Sequence, residues 1–170
     1  MTTPAWLPEV LSFHGNWEVF IKEVYAIFER DFKKSRPSFR GLAVTYDARM
    51  EDGREAGFWH IVQRDDAAAG ERLPDFKRCG RIPWPRSIIE HPADSAVSIW
   101  ENERKKTDSS RQTRILVWLE DEDYLVVLGD KKNYMILVTA YCVDQESYKR
   151  KLRKERDEYY EKQKPPGWAT

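Results

Sequence analysis

Few side chains in this chain are suited to moving a proton, and the one in the most suggestive company is His60, inside the stretch GFWHIVQRD (57–65). An imidazole has an ordinary pKa of about 6.5 and exchanges its proton near neutral pH. Arg64 follows four positions on, a spacing that puts both side chains on one side if the stretch is helical. An imidazole beside a guanidinium suits reactions at phosphorus, where one group carries the proton and the other holds the developing negative charge. The same residues also describe a half-buried histidine filling a core with its ring nitrogens satisfied, and the sequence leaves both readings open. His14, ahead of the first helical stretch, and His91, next to Pro92, read as loop and turn residues.

Three further segments carry cations or hydroxyls in useful patterns. RLPDFKRCGRIPWPR (72–86) gathers Arg72, Lys77, Arg78, Arg81 and Arg86 around a single acid, Asp75. Arginine's planar fork matches phosphate oxygens, and Phe76 and Trp84 offer rings for stacking. RKKTDSSR (104–111) is a basic loop able to embrace a nucleic-acid backbone or to serve as a soluble hairpin tip. In NYMILVTAYCV (133–143), strand alternation puts Thr139 and Tyr141 on one face and Ile136, Val138, Ala140 and Cys142 on the other. The basic run from Tyr148 to Arg156 is answered at helical spacings by Glu155, Asp157, Glu158 and Glu161, which describes a self-neutralised surface helix.

These groups must be held by one core. A chain of 170 residues, 41% hydrophobic, predicts a single domain, with its core from about 16 to 163 and short tails at both ends. Its 29 basic and 29 acidic residues cancel, so any site for a polyanion is a local patch and not a global field. Cys79 and Cys142 lie in no metal-ligand spacing and read as reduced thiols, so no metal or cofactor is expected. The first residues lack a basic leader with an apolar stretch, and no apolar run approaches about 20 residues, which predicts a cytoplasmic protein without a membrane segment.

Asn16 caps a helix in which Trp17, Phe20, Ile21, Val24, Ile27 and Phe28 recur at three and four residues, ending near Phe32. GLAVTYD (41–47) reads as a strand, FWHIVQR (58–64) as a short helix, and 66–92 as irregular apart from a turn or two of helix in DFKRCGRI and PRSIIEH. AVSIWENE, QTRILVWLE, YLVVL and NYMILVTAYCV then predict four successive antiparallel strands, because the linkers between them are too short for parallel crossovers. QESYKRKLRKERDEYYEKQ (145–163) closes the chain as a helix with Tyr148, Leu152 and Tyr159 on one face. The expected class is α+β: an N-terminal helix, a four-stranded antiparallel meander and a C-terminal helix.

This order of parts resembles the nuclease superfamily that groups barnase, EndoU, colicin-type and RelE-like RNases, especially its phage-associated branches. HIVQRD is similar to a "HI..RH" stretch of those branches at His60, Ile61 and Arg64, with Asp65 in place of the second histidine, and LVTAY with Thr139 is similar to their last strand. The likeness covers about residues 55–143. The segments FWH, WENER and TAY also resemble an uncharacterised bacterial and phage family. What the resemblance implies is a metal-independent endoribonuclease, or a nuclease-like RNA-binding domain, of a phage or mobile element. His60 would be the base or acid, and Tyr141 the second proton-transfer group or a stacking ring. Arg64, Arg78, Arg81 and Arg114 would clamp phosphate, and Thr139 would donate to a phosphoryl oxygen. The rival reading is a non-catalytic protein-interaction module, anchored on a partner by aromatic segments such as IPWPR (82–86) and PPGW (165–168).

Overall fold

In a computed structural model of the chain, residues 2–66 and 71–165 are described. The Asn16 side chain accepts from the Val19 amide at 3.2 Å and starts α1 (Trp17–Phe28), whose Phe20, Ile21, Val24 and Phe28 form the buried stripe that the spacing predicts. A turn of π-helix (Glu29–Lys33) continues it, burying Phe32 and Asp31. Two tight hairpins follow, β1 (Ser38–Phe39) with β2 (Leu42–Tyr46), and β3 (Met50–Glu51) with β4 (Arg54–Glu55). Each turns on two residues of positive φ, Arg40–Gly41 and Asp52–Gly53, the backbone that a two-residue connection between twisted strands requires.

Next come α2 (Ala56–Val62), β5 (Gln63–Asp66), β6 (Glu71–Pro74), α3 (Phe76–Gly80) and α4 (Trp84–Ile89). The chain ends with β7 (Val97–Lys105), β8 (Arg111–Leu119), β9 (Tyr124–Asp130), β10 (Met135–Cys142) and α5 (Glu146–Gln163). The main sheet therefore differs from the predicted one. It has six strands in the order β1-β2-β10-β9-β8-β7 and is mixed, because β2 runs parallel to β10 with Val44 opposite Met135 and Tyr46 opposite Leu137. Short linkers constrain only the neighbours they join; the partner of β2 lies some ninety residues away, and nothing local announces it. The sheet curls until Arg40, in the β1–β2 turn, reaches Glu101 in β7 at 2.6 Å.

Each face of the sheet has its own apolar cluster. Ile115, Val117, Tyr124, Val126, Leu128 and Leu137 pack against α1, α2 and α4. On the opposite face Trp100, Leu116, Trp118, Leu125 and Val127 pack under Leu152 of α5, with Tyr148 and Tyr159 beside it. Glu155 fixes that helix by accepting from Trp100 Nε1 and Asn102 Nδ2, both at 2.8 Å.

A β-bulge in β10 changes which side chains share the α5 face. The register with β9 shifts between Leu137 and Thr139, so Val138 is an extra residue. Ile136 lies opposite Gly129, which itself lies opposite Arg114, and Val138 packs with the α5-side cluster. Both thus lie on the side of Thr139 and Tyr141, not opposite them as simple alternation predicts. Ala140 and Cys142 turn to the other core. No helix among the described residues is long and apolar enough to cross a membrane.

Candidate functional site

Beyond the end of the sheet face that α5 covers lies a cleft of about 540 Å³, lined by His60, Gln63, Arg78, Arg114, Thr139 and Tyr141, with Trp59 and Val138 as its apolar wall. Five of the seven predicted site residues meet there. They come from four elements, α2, α3, β8 and β10, and the fold brings them together by laying α2 across β10.

That docking depends on one small residue. The Gly57 amide donates to the Asp47 carbonyl at 2.9 Å, and a Cβ at position 57 would meet Tyr46 Cβ at 2.8 Å and the Asp47 amide nitrogen at 3.0 Å. Contacts this close to backbone do not yield cheaply. Gly57→Ala is expected to destabilise the protein by about 1–3 kcal/mol through this overpacking, seen as a lower midpoint in chemical denaturation.

The carboxyl end of α2 is held just as specifically. Thr139 Oγ1 donates to the His60 carbonyl at 2.9 Å. Arg78 Nη1 donates to the same carbonyl at 3.4 Å and, more closely, to that of Gln63. The Arg78 guanidinium also lies over the Tyr141 ring, 5.3 Å from its centre, with its Nε 3.8 Å from the Asp75 carboxylate. The carbonyls left unpaired where a helix ends are thereby satisfied. Thr139 and Arg78, read from sequence as phosphate ligands, direct these hydrogens to the backbone beside the imidazole, and so position His60.

Arg114 is different. Its Nε is buried with no hydrogen-bond partner, and no carboxylate pairs with its guanidinium among the described residues. Burial lowers its pKa, the positive charge of Arg104 lowers it further, and Tyr141 opposes them. An arginine stays charged through such shifts, so Arg114 brings an uncompensated cation to the cleft. Tyr141 Oη sits 2.7 Å from Tyr148 Oη, and burial first, then that bond, pushes its phenol well above the ordinary value. It is protonated at neutral pH, a donor and not a base.

Two predicted residues lie elsewhere. Arg64 is exposed in a separate pocket with Asp75, Phe76, Lys77 and Asp144. The helix that would have aligned it with His60 stops at Val62; Gln63 is already extended at φ −112°, ψ 153°, and Arg64 pairs with Leu73 in the β5–β6 hairpin. Arg81 follows the end of α3, stacks 5.0 Å over Trp84 and donates to the Lys77 carbonyl at 3.2 Å. Trp84 itself is buried, donating to the Pro8 carbonyl at 2.8 Å, so IPWPR supplies core and not a free anchor. PPGW extends past the described residues. His91 stacks on Trp6 at 4.3 Å with Nδ1 2.6 Å from the Ser87 carbonyl, a packing role.

Asp47 escapes sequence reasoning. It ends the stretch GLAVTYD, and only the docking of α2 on β2 brings it near His60. Hydrogen bonds from Arg49 lower its pKa to about 2, with the charge of His60 adding to the effect. Asp47 is therefore a fixed anion at neutral pH beside the imidazole-bearing helix. No cluster of three or more metal-ligating side chains occurs among the described residues. The chain matches no protein-family model, no curated protein and no solved structure.

Proposed function

We propose that the protein is an endoribonuclease that cleaves RNA without a metal ion. His60 removes the proton of a 2′-hydroxyl, the oxygen bonds to the adjacent phosphorus, and the bond to the 5′ oxygen breaks. Arg114 stabilises the charge that builds on the non-bridging oxygens. The leaving oxygen takes its proton from the Tyr141 phenol or from the imidazolium just formed. A 2′,3′-cyclic phosphate and a 5′-hydroxyl result. A phage or mobile-element origin belongs to the same reading.

The observation that carries this reading is the sharing of one cleft by an imidazole and a guanidinium that has no anionic partner among the described residues. A structural arginine this desolvated normally finds a carboxylate; an arginine awaiting phosphate does not. Purified protein incubated with RNA in EDTA is expected to leave cyclic-phosphate or 3′-phosphate ends, resolved by their sensitivity to phosphatase before and after acid treatment. Intact RNA in EDTA, with cleavage only on adding a divalent metal, would overturn the mechanism.

A second reading, docking on a protein, is favoured by one surface. Phe13 and Phe76, both exposed, pack edge to face at 5.0 Å, with Trp17 and Phe20 beside them and Val10 and Val19 exposed nearby. Salt separates the two: binding through arginines to phosphates weakens steeply as salt rises, and apolar docking responds little.

A further inference from the structure

The cleft does not end at Arg114. Along the same sheet face Arg104 is the diagonal cross-strand neighbour of Arg114, since Asn102 stands opposite Arg114 and Gln112 opposite Arg104. Such neighbours are about 7–8 Å apart. Arg104 is exposed, and its charge is felt at both Arg114 and Tyr141. Beyond it the turn joining β7 to β8 carries Lys106, and the turn joining β9 to β10 carries Lys131. The antiparallel register of β8 with β9, which sets Arg114 opposite Gly129, brings both turns to the same end of the sheet. Burial and the neighbouring Lys106 ammonium lower the pKa of Lys131, so these two cations crowd one another.

Nearby acids are committed elsewhere. Glu103 pairs with Arg111 at 2.8 Å and Glu101 with Arg40. Asp108 accepts from the amide and hydroxyl of Ser110, with the Lys106 charge acting on it beyond ion-pair distance, and Asp130 accepts from the amide of Lys132 at 2.7 Å. Among the described residues, Arg104, Lys106 and Lys131 have no carboxylate within ion-pair distance, as Arg114 has none. A row of like charges this close is disfavoured in the free protein and relieved by an anion with several evenly spaced charges. A single phosphate relieves one of them; a nucleic-acid backbone relieves all.

We infer that Arg114, Arg104 and the Lys106–Lys131 pair form a track for successive phosphates of one single-stranded RNA chain, which runs from the His60 cleft to the hairpin end of the sheet. The inference rests on the ribonuclease reading of the cleft and specifies its substrate: a strand of several nucleotides, not a mononucleotide or a nucleotide cofactor. A backbone followed by cations along an open sheet is the arrangement of sequence-tolerant single-strand binding.

The test compares 5′-labelled octauridylate with the dinucleotide UpA, on the wild type and on the triple variant Arg104→Ala, Lys106→Ala, Lys131→Ala. The substituted side chains sit at the exposed end of the sheet, and an unchanged circular dichroism spectrum verifies folding; Lys106→Glu alone provides a second variant. In wild type, the octamer is expected to bind at least tenfold more tightly than the dinucleotide. In the triple variant that length preference is expected to vanish, and the salt slope for the octamer to fall by about 2, near 0.7 for each lost contact. Equal octamer binding by the folded variant and the wild type overturns the track. If UpA is cleaved with no length preference in wild type, the track fails and the ribonuclease reading stands. Tight octamer binding that the triple substitution abolishes, with no cleavage of either substrate, supports the track and overturns the catalysis.

Discussion

Replacing His60 with alanine is expected to slow RNA cleavage by about 100- to 10,000-fold, the range lost when a positioned proton-transfer group is removed. The fold should remain, for a specific reason. At position 60 the backbone carbonyl of α2 accepts from Thr139 and Arg78, and alanine keeps that carbonyl. The ring is half-buried at the cleft wall, and the apolar anchors of α2, namely Phe58, Ile61 and Val62, are untouched. Single-turnover cleavage in EDTA, measured across pH beside a thermal melt, checks both halves. In the wild type the rate is expected to fall as the solution becomes acid, because a base must be unprotonated to act. Asp47, already ionised above a pKa of about 2, contributes no limb of its own in that range. A variant as active as wild type removes His60 from the chemistry.

Arg114→Met is expected to lower cleavage by about 100- to 1,000-fold, the usual effect of deleting one donor to a developing oxyanion, while leaving the melting temperature unchanged or raised. The second outcome distinguishes a ligand-binding cation from a structural one. A structural arginine stabilises through its partners, and its removal strands a buried acid at a cost of about 3–5 kcal/mol. Arg114 strands nothing: its Nε already lacks a partner, and the charged side chain that acts on it is another cation, Arg104. Methionine keeps most of the aliphatic stem and removes a desolvated charge. Lower activity with equal or greater stability is the pattern of a site that holds unfavourable charge for function. A melting temperature lower by more than about 4 °C, which corresponds to about 1–2 kcal/mol at this size, would assign Arg114 to the scaffold.

Patterns that repeat over short distances were legible in the sequence. The Trp17–Phe28 stripe, the Asn16 cap, the β-branched runs from Val97 to Cys142 and the Tyr148–Leu152–Tyr159 face each follow from local periodicity and appear in the fold. Features set by distant partners were not. The parallel pairing of β2 with β10 depends on residues ninety positions apart, and neither strand encodes the other. The β5–β6 hairpin has no legible strand pattern, because Pro74 and the charged residues around it mask a four-pair ladder. At the site, His60, Arg78, Arg114, Thr139 and Tyr141 were nameable by chemical type and converge on one cleft. Their individual duties were not nameable, since whether a hydroxyl faces a ligand or a helix end is a matter of packing. Arg64 was placed beside His60 by a helical spacing that ends two residues too soon, and Asp47 had no local signal at all.

The bulge at Val138 raises a question of strand parity. The bulge absorbs one supernumerary residue, so the strand stays in step with β9 on both sides of it: Leu137 and Ala140 point to one core, and Val138 and Tyr141 to the other side. An in-frame loss of that one codon would turn the bulge into an unbroken ladder and leave Thr139 opposite Val127 and Tyr141 opposite Leu125, facing the same way as before. The face that carries the phenol is therefore set by its partner in β9, and this strand can shed its spare residue without turning the site inside out.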